Sequence, residues 1–267
     1  MDIVTPDCPF ARCDRAVIPN HVSIGVMSMC EICDARLSSR RTFLSVAASG
    51  AIAGLGITSA PAFASGGPTT SVTPDEALGK LKAGNEKYVS GPELCARELS
   101  NQRGKTATGQ TPWATIVSCA DSRVPPELLF GGLGVGELFV ARNAGNMADT
   151  ATMGTIEYGA AVLGIPLIVV LGHERCGAVA AACEVVEKST KFPSNIKPMV
   201  EAIVPAARAV KGKPGDFVDN AVRESAKRTA MKIASASPIV ADLIKKGKVK
   251  VVAGRYDLDD GKVEIFA

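Results

Sequence analysis

Segments with the pattern of buried β-strands alternate with helical segments along the chain, and this alternation limits the folds that the sequence can adopt. Residues 113–118 form a mostly apolar run of strand length, and residues 166–171 form a run that is apolar at every position. Strands that are apolar on both faces are typical of sheets covered by helices on either side. Alternation with helices favours parallel pairing, because a helix returns the chain to the end where the next strand begins.

The remaining elements complete this pattern. Further strands are predicted at 137–141, 248–253 and 262–266, and the last two are joined across Asp260-Gly261, a hairpin turn signal. Helices are predicted after Thr73 up to Gly91, after Pro125-Pro126, from Asp149 to Leu163, from Gly177 to Glu187, over 196–236 with breaks at Pro205 and at 212–215, and from Ser237 to Gly247. The sequence therefore predicts an α/β fold: a mainly parallel four-stranded sheet with an antiparallel edge strand and helices on both faces.

Composition and charge exclude several classes of protein. With 46% hydrophobic residues, the chain is too apolar for an intrinsically disordered protein. The formal net charge of +3 and the lack of a basic stripe argue against a nucleic-acid partner. The sequence contains two histidines, His21 and His173, which excludes a metal site with three histidine ligands from one chain.

The first 64 residues are predicted to be a targeting segment. Arg40 and Arg41 precede an uncharged run at 45–60, and residues 61–64 form a small-residue cleavage pattern. The paired arginines resemble the twin-arginine (Tat) signal, which implies export by the twin-arginine machinery to the periplasm or the extracellular space. A retained membrane anchor is the alternative, but the run is shorter than the roughly 20 apolar residues of a spanning helix. The predicted boundaries are a signal at 1–64, a linker at 65–73 and one α/β domain at 74–267.

Four cysteines precede the paired arginines, at positions 8, 13, 30 and 33. Their spacing loosely resembles a zinc ribbon, although the first pair is wider than the usual Cys-x2-Cys. We favour a long leader, or a start codon assigned too early with Met27 or Met29 as the true first residue. A small structural metal site is the alternative.

Two polar segments follow two of the predicted strands. Residues 119–123 (Cys-Ala-Asp-Ser-Arg) follow the first strand, and residues 173–177 (His-Glu-Arg-Cys-Gly) follow the third. If the strand order begins 2-1-3, both segments lie where ligands bind in open α/β sheets, beyond the carboxyl ends of the strands. Cys119, His173 and Cys176 would then form a three-ligand zinc set with one position open.

The same segments resemble the β-class carbonic anhydrases. Cys-x-Asp-Ser-Arg at 119–123 is followed by Gly-His-x-x-Cys-Gly at 172–177. Similar hallmark stretches lie at 81–88, 121–127, 142–146, 156–158 and 251–258. The resemblance extends from about residue 74 to residue 267 and departs from the family pattern at 130–133 and in the helical stretch at 186–216.

The resemblance implies a zinc-dependent lyase that hydrates carbon dioxide reversibly to bicarbonate and a proton, by means of a zinc-bound hydroxide. It implies one Zn2+ per chain on Cys119, His173 and Cys176, in a homodimer or higher even oligomer. It also implies that Asp121 accepts a hydrogen bond from the hydroxide and that Arg123 holds Asp121 away from the metal. In some family members this aspartate instead occupies the fourth zinc position.

Two other functions stay open on the sequence alone. A relative that hydrolyses carbonyl sulfide or carbon disulfide would use the same motif residues, because these linear substrates share the nucleophile. A non-catalytic zinc or redox protein would use Cys119 and Cys176. Cys183 and Trp113 are expected to pack in the core rather than act at the site.

Overall fold

The computed structural model describes residues 69–91, 102–104, 106–131 and 134–266. The predicted signal segment, its cleavage site and the four N-terminal cysteines lie outside the described residues, so these interpretations stay predictions. Within the described ranges, no helix combines the length and the apolar character needed to cross a membrane.

Among the described residues, helices and strands alternate up to the third strand, and four successive helices then precede the last two strands. The helices are α1 (Pro74–Ser90), α2 (Pro126–Leu129), α3 (Thr150–Ala161), α4 (Gly177–Lys188), α5 (Ile196–Val210), α6 (Phe217–Ala236) and α7 (Pro238–Lys245). The strands are β1 (Ala114–Cys119), β2 (Leu138–Asn143), β3 (Leu167–His173), β4 (Lys250–Tyr256) and β5 (Val263–Phe266).

These strands form one five-stranded sheet in the order β2-β1-β3-β4-β5. β1 pairs in parallel with β2 and β3, β3 pairs in parallel with β4, and β5 runs antiparallel to β4 at one edge. The predicted fold is therefore confirmed: four parallel strands carry an antiparallel edge strand. The order begins 2-1-3, which makes β1 and β3 neighbours.

Helices cover both faces of the sheet. Val169 and Leu171 of β3 pack in one apolar cluster with Leu81 of α1. The alternate residues Ile168 and Val170 pack in another cluster with residues of α3, α6 and α7. Since successive side chains of a strand point to opposite faces, β3 is buried on both sides, as its unbroken apolar run predicted.

Helix α1 starts with the predicted capping box and docks through one buried amide. Thr73 Oγ1 accepts from the backbone N–H of Glu76, and Glu76 Oε2 accepts from the backbone N–H of Thr73. The Asn85 amide donates to the carbonyls of Leu129 and Gly261. These two bonds join α1 to α2 and to the β4–β5 hairpin.

Two details differ from the predicted elements, and the first is Pro205. Helix α5 continues through this residue, so the predicted break there is wrong. Proline lacks the N–H that would bond the carbonyl of Glu201, but both residues lie on the exposed side of the helix, where water can satisfy that carbonyl. The chain leaves the helix after Val210, where Gly212 and Gly215 adopt positive φ.

The second difference is that the strands extend further at the carboxyl edge of the sheet than predicted. β1 ends at Cys119, β2 at Asn143 and β3 at His173. In the ladder Cys119 lies opposite Asn143, and His173 lies opposite Tyr256. Two of the predicted metal ligands are therefore fixed by strand pairing and do not lie in loops.

A close approach between α1 and α2 gives a stability prediction. A Cβ added at Gly84 would lie 2.1 Å from the carbonyl oxygen of Phe130, whereas nothing lies within 4 Å of a Cβ at Gly79. We expect Gly84→Ala to lower the free energy of unfolding in urea by about 1–3 kcal/mol, the usual cost of overpacking. Gly79→Ala, on the exposed side of α1, should raise it by up to about 1 kcal/mol through helix propensity. Equal effects of the two substitutions would contradict the close contact.

Candidate metal centre

Three metal-ligating side chains meet at the carboxyl edge of the sheet. Cys119 is the last residue of β1, His173 is the last residue of β3, and Cys176 directly precedes α4 as its N-cap. Because β1 and β3 are parallel neighbours, their carboxyl ends lie at the same edge. One ligand atom from each side chain lies within 4.8 Å of the other two, and all three residues are buried.

The imidazole of His173 has one nitrogen engaged and one without a partner. Nδ1 lies 2.9 Å from the carbonyl oxygen of Glu174, an arrangement that favours the tautomer protonated at Nδ1. Nε2 is buried and has no hydrogen-bond partner among the described residues. A buried polar atom without a partner is costly, so the nitrogen that faces the two thiols is suited to a metal ion.

The two thiols have the spacing of a shared metal ligand pair. Their Sγ atoms are 4.0 Å apart. Two sulfurs at about 2.3 Å from one tetrahedral zinc ion would be separated by about 3.8 Å, so the observed spacing fits. The hydrogen bond from the Cys176 thiol lowers the pKa of Cys119, while that same pairing, burial and the neighbouring charge raise the pKa of Cys176. The backbone N–H of Gly145 also points at Cys119 Sγ, at 3.5 Å.

Two sulfurs and one imidazole nitrogen are a donor set that favours zinc over magnesium or calcium. Three protein ligands leave the fourth tetrahedral position available for a water or a substrate. The residues present therefore fit a catalytic zinc site better than a closed structural one.

Asp121 lies beside the three ligands and is bound by Arg123. Its Oδ1 accepts from the backbone N–H and the Nε of Arg123, both at 2.9 Å, and its Oδ2 accepts from Nη2 at 2.7 Å. These hydrogen bonds hold the pKa of Asp121 far below its usual value, so the side chain is a carboxylate at neutral pH. Oδ2 is 3.9 Å from Nε2 of His173, which places the carboxylate at the border of the metal position.

Arg142 holds the turn after β1, a role that the sequence reasoning missed. Its Nε donates to the carbonyl of Cys119 at 2.9 Å, and its Nη2 donates to the carbonyl of Asp121 at 2.6 Å. Arg142 lies opposite Ser118 in the β1–β2 register, one residue before the strand ends. An arginine near the carboxyl end of the strand expected beside β1 is the signal that could have identified it.

The turn between His173 and Cys176 is held by the loop after β4. Arg175 has a φ of +52°, a left-handed conformation that is uncommon outside glycine. Its guanidinium donates to both carboxylate oxygens of Asp259, at 2.6 and 3.0 Å. No sequence pattern indicates this contact, because the two residues are separated by 84 positions.

A second group of acidic side chains lies next to this turn. Glu174, Asp257 and Asp259 are close enough together to hold a metal ion. Arginines already occupy the group, however: Arg175 pairs with Asp259, and Arg255 pairs with Asp257 and lies 3.6 Å from Glu174. We therefore interpret the group as an ion-pair network that supports the turn.

The other two residues considered from the sequence lie in the core, as expected. Cys183 and Trp113 are each 3% exposed. Burial raises the pKa of the Cys183 thiol to about 11. The thiol packs with apolar residues of α4, α5 and α6 and does not belong to the group of three ligands.

Comparison with known proteins identifies relatives over most of the α/β domain. A family model described as carbonic anhydrase matches residues 114–263. Carbonic anhydrase 2 of Mycobacterium tuberculosis is 37% identical over 182 residues, which covers 68% of this chain and 87% of the relative. The carbonic anhydrase of Mycolicibacterium smegmatis is 34% identical over 185 residues, with coverage of 69% and 89%.

Solved structures share the fold. The Coccomyxa β-carbonic anhydrase, solved in complex with acetazolamide, aligns with a TM-score of 0.55 at 29% identity and covers 70% of this chain and 85% of its own. A tetrameric β-carbonic anhydrase from Sordaria macrospora aligns with a TM-score of 0.57 over 64% of this chain and 89% of its own. Its sequence identity is 22%, so this similarity supports the fold alone. The family match, the identity to the mycobacterial relatives and the shared fold show that the chain belongs to the carbonic anhydrase family, in its β class.

Proposed function

We propose that the protein catalyses the zinc-dependent, reversible hydration of carbon dioxide to bicarbonate and a proton. The observation that carries this proposal is the buried group of Cys119, His173 and Cys176, with His173 Nε2 unpartnered and facing the thiols. Membership of the carbonic anhydrase family supports this reaction. The donor set of two sulfurs and one nitrogen favours zinc as the metal. Hydrolysis of carbonyl sulfide or carbon disulfide at the same site is the second candidate, because the motif residues do not separate the three substrates.

The residues around the proposed metal position have two roles: some would hold the metal or the backbone that carries its ligands, and others would orient the nucleophile. A zinc ion on the three ligands would acidify a water molecule and make hydroxide available near neutral pH. The Asp121 carboxylate lies 3.9 Å from Nε2 of His173, from where it would accept a hydrogen bond from that nucleophile and orient it. Arg123 binds both oxygens of Asp121 through three hydrogen bonds, which would hold the carboxylate away from the fourth metal position. Arg142 fixes the backbone that carries both Cys119 and Asp121.

Replacement of any of the three ligands should remove metal and activity together. We expect Cys119→Ala, His173→Ala and Cys176→Ala to lose nearly all zinc by elemental analysis, and to lose carbon dioxide hydration in stopped-flow assays, because two remaining ligands hold the ion poorly. Cys183→Ala is the matched control: it removes a buried thiol of α4 outside the ligand group and should retain both properties. Full zinc content in His173→Ala would refute the ligand assignment.

The same preparations decide between the candidate substrates. Steady-state assays of the wild type on carbon dioxide, carbonyl sulfide and carbon disulfide should give the highest kcat/KM for carbon dioxide. A higher value for either sulfur compound would replace the proposed reaction with the alternative while leaving the metal site intact. Zinc binding without turnover of any of the three would instead indicate a non-catalytic protein.

Asp121 and Arg123 should affect turnover without affecting metal content. We expect Asp121→Asn and Arg123→Ala to lower kcat by about 10–100-fold, as is typical of residues that act through hydrogen bonds beside a metal. Zinc content should stay near one ion per chain, since neither side chain belongs to the ligand group. Glu127→Gln, a charge change at an exposed position of the same segment, is the control. If Asp121→Asn loses zinc in step with activity, Asp121 is itself a ligand.

We also propose export of the folded protein through the twin-arginine route, on the sequence evidence of Arg40, Arg41 and the run that follows them. This route suits a site with two thiolates, because the metal can bind in a reducing cytosol before the chain meets oxidants. The double substitution Arg40→Lys/Arg41→Lys should leave the precursor in the cytoplasm, measured by cell fractionation and immunoblot. Undiminished export of this variant would point to the general secretory route instead.

A homodimer, or a higher even oligomer, completes the proposal. β2 is an edge strand of the sheet, and Leu138, Phe139 and Val140 are only partly buried there. Tyr158 of α3, in ring contact with Phe139, is 50% exposed. We expect a second copy to bind at this apolar edge. Sedimentation of the purified protein tests the oligomeric state.

A further inference from the structure

A cavity of about 460 Å³ lies between the β2–α3 loop, α5 and α6. Its volume is within the range of small-molecule sites, which is about 300–1,000 Å³. Neither the three metal-ligating residues nor Asp121 line it. The cavity is therefore distinct from the metal centre, although both contact the loop at 143–149.

One wall of the cavity is a polar stripe on α6. Ser225, Arg228, Thr229 and Lys232 all line the cavity, and their spacing of three and four residues places them on one face of the helix. The opposite walls are mostly apolar. They consist of Ala144, Met147 and Ala148 from the loop and Pro198, Met199, Ala202 and Ala206 from α5.

The two hydroxyl-bearing side chains of this stripe are mostly buried, and their oxygens, which stay accessible, have no protein partner among the described residues. Ser225 is 5% exposed and Thr229 is 9% exposed, and neither side chain is hydrogen-bonded to any described residue. Serine and threonine in helices usually bond back to the preceding turn, as Ser235 of the same helix does to the carbonyl of Met231 at 2.8 Å. Ser225 and Thr229 instead leave their hydroxyl oxygens accessible from the cavity, where a ligand can bond them in place of water.

The charged groups of the lining favour an anionic ligand. Lys232 uses one of its three donors on the carbonyl of Ala148, and Arg228 uses its Nε on Glu224. Asp149 is the only carboxylate of the lining, and its Oδ1 already accepts from the backbone N–H of Thr152. The lining therefore carries two cations and one carboxylate, with Lys232 near Asp149 and Arg228 paired with Glu224. The remaining donors of the two cations and the two hydroxyls are available to a ligand.

We propose that this cavity binds a small organic monocarboxylate. Its carboxylate accepts hydrogen bonds from Ser225 and Thr229 and lies near the charges of Arg228 and Lys232. Its apolar body packs against the loop and α5. A bicarbonate ion alone is too small to fill such a volume, so the ligand carries an aromatic or short aliphatic group.

The test follows the methyl groups of methionine by NMR, with 3-phenylpropionate as the probe. Met147 and Met199 line the cavity, whereas Met231 is 60% exposed and lies outside it. Titration of the zinc-loaded wild type with the probe should shift the methyl resonances of Met147 and Met199, and the shifts should saturate at a probe concentration below about 1 mM. The Met231 resonance should not shift. Shifts that fail to saturate, or that appear equally at Met231, would overturn the proposal.

Matched variants and ligands separate this site from others. Ser225→Ala/Thr229→Val should weaken binding at least about tenfold, because two hydrogen bonds are lost, whereas Ser235→Ala should leave it unchanged. The neutral analogue 3-phenylpropionamide should also bind at least about tenfold more weakly than the carboxylate. Equal affinity in the double variant, or for the amide, refutes the assigned donors.

Carboxylates also bind metals, so the experiment includes azide as a competing anion for zinc. Binding of the probe that persists in saturating azide supports a separate cavity site. Displacement by azide would place the probe at the metal centre and overturn the proposal. None of these readouts depends on carbon dioxide hydration, so the cavity site and the proposed function can fail independently.

Discussion

The parallel pairing of β1 with β3 is the constraint on which the rest of the site depends. It brings two segments that are far apart in the chain to one edge of the sheet, because both strands run in the same direction and start in register. Cys119 and His173 end these strands, so their relative position is set by backbone hydrogen bonds and by a core that excludes water. Cys176 then needs only one tight turn to reach the same place.

Arginines on the neighbouring elements stabilise the backbone that carries the ligands. Arg142 of β2 binds two carbonyls of the turn after β1, and Arg175 anchors the turn after β3 to Asp259. Arg123 acts differently, because it binds the side chain of Asp121, lowers the pKa of that carboxylate and fixes its direction. The sheet positions the candidate ligands, and these hydrogen bonds and ion pairs hold the turns and the carboxylate next to them.

The fold and the convergence of the ligand candidates could be predicted because they follow from local patterns. An apolar run such as 166–171 identifies a buried strand, and residues directly after two such strands must meet if the strands are neighbours. The position of Arg142 near a strand end is a signal that could have identified it, but the pairing of Arg175 with Asp259 could not be predicted, since contacts over long separations leave no periodicity in the sequence. The break predicted at Pro205 was wrong because the free-energy cost of a proline inside a helix depends on whether the unpaired carbonyl is exposed to water, and exposure cannot be read from the sequence. The cavity beside the polar stripe of α6 likewise could not be predicted, because it depends on how α5 and the β2–α3 loop pack around that helix.

The position of the candidate ligands at strand ends also bears on whether folding or metal binding comes first. The ladder between Thr115–Ser118 and Ile168–Leu171 lies in a fully buried core that involves no metal. Small zinc domains, in contrast, stay unfolded until the ion binds. If the site takes a zinc ion, as proposed, the fold of this domain can form before the ion binds. In that case the fraction of zinc-loaded protein would follow the supply of zinc and its exchange with other cellular ligands, and a chain that lost the ion would stay folded and able to bind it again.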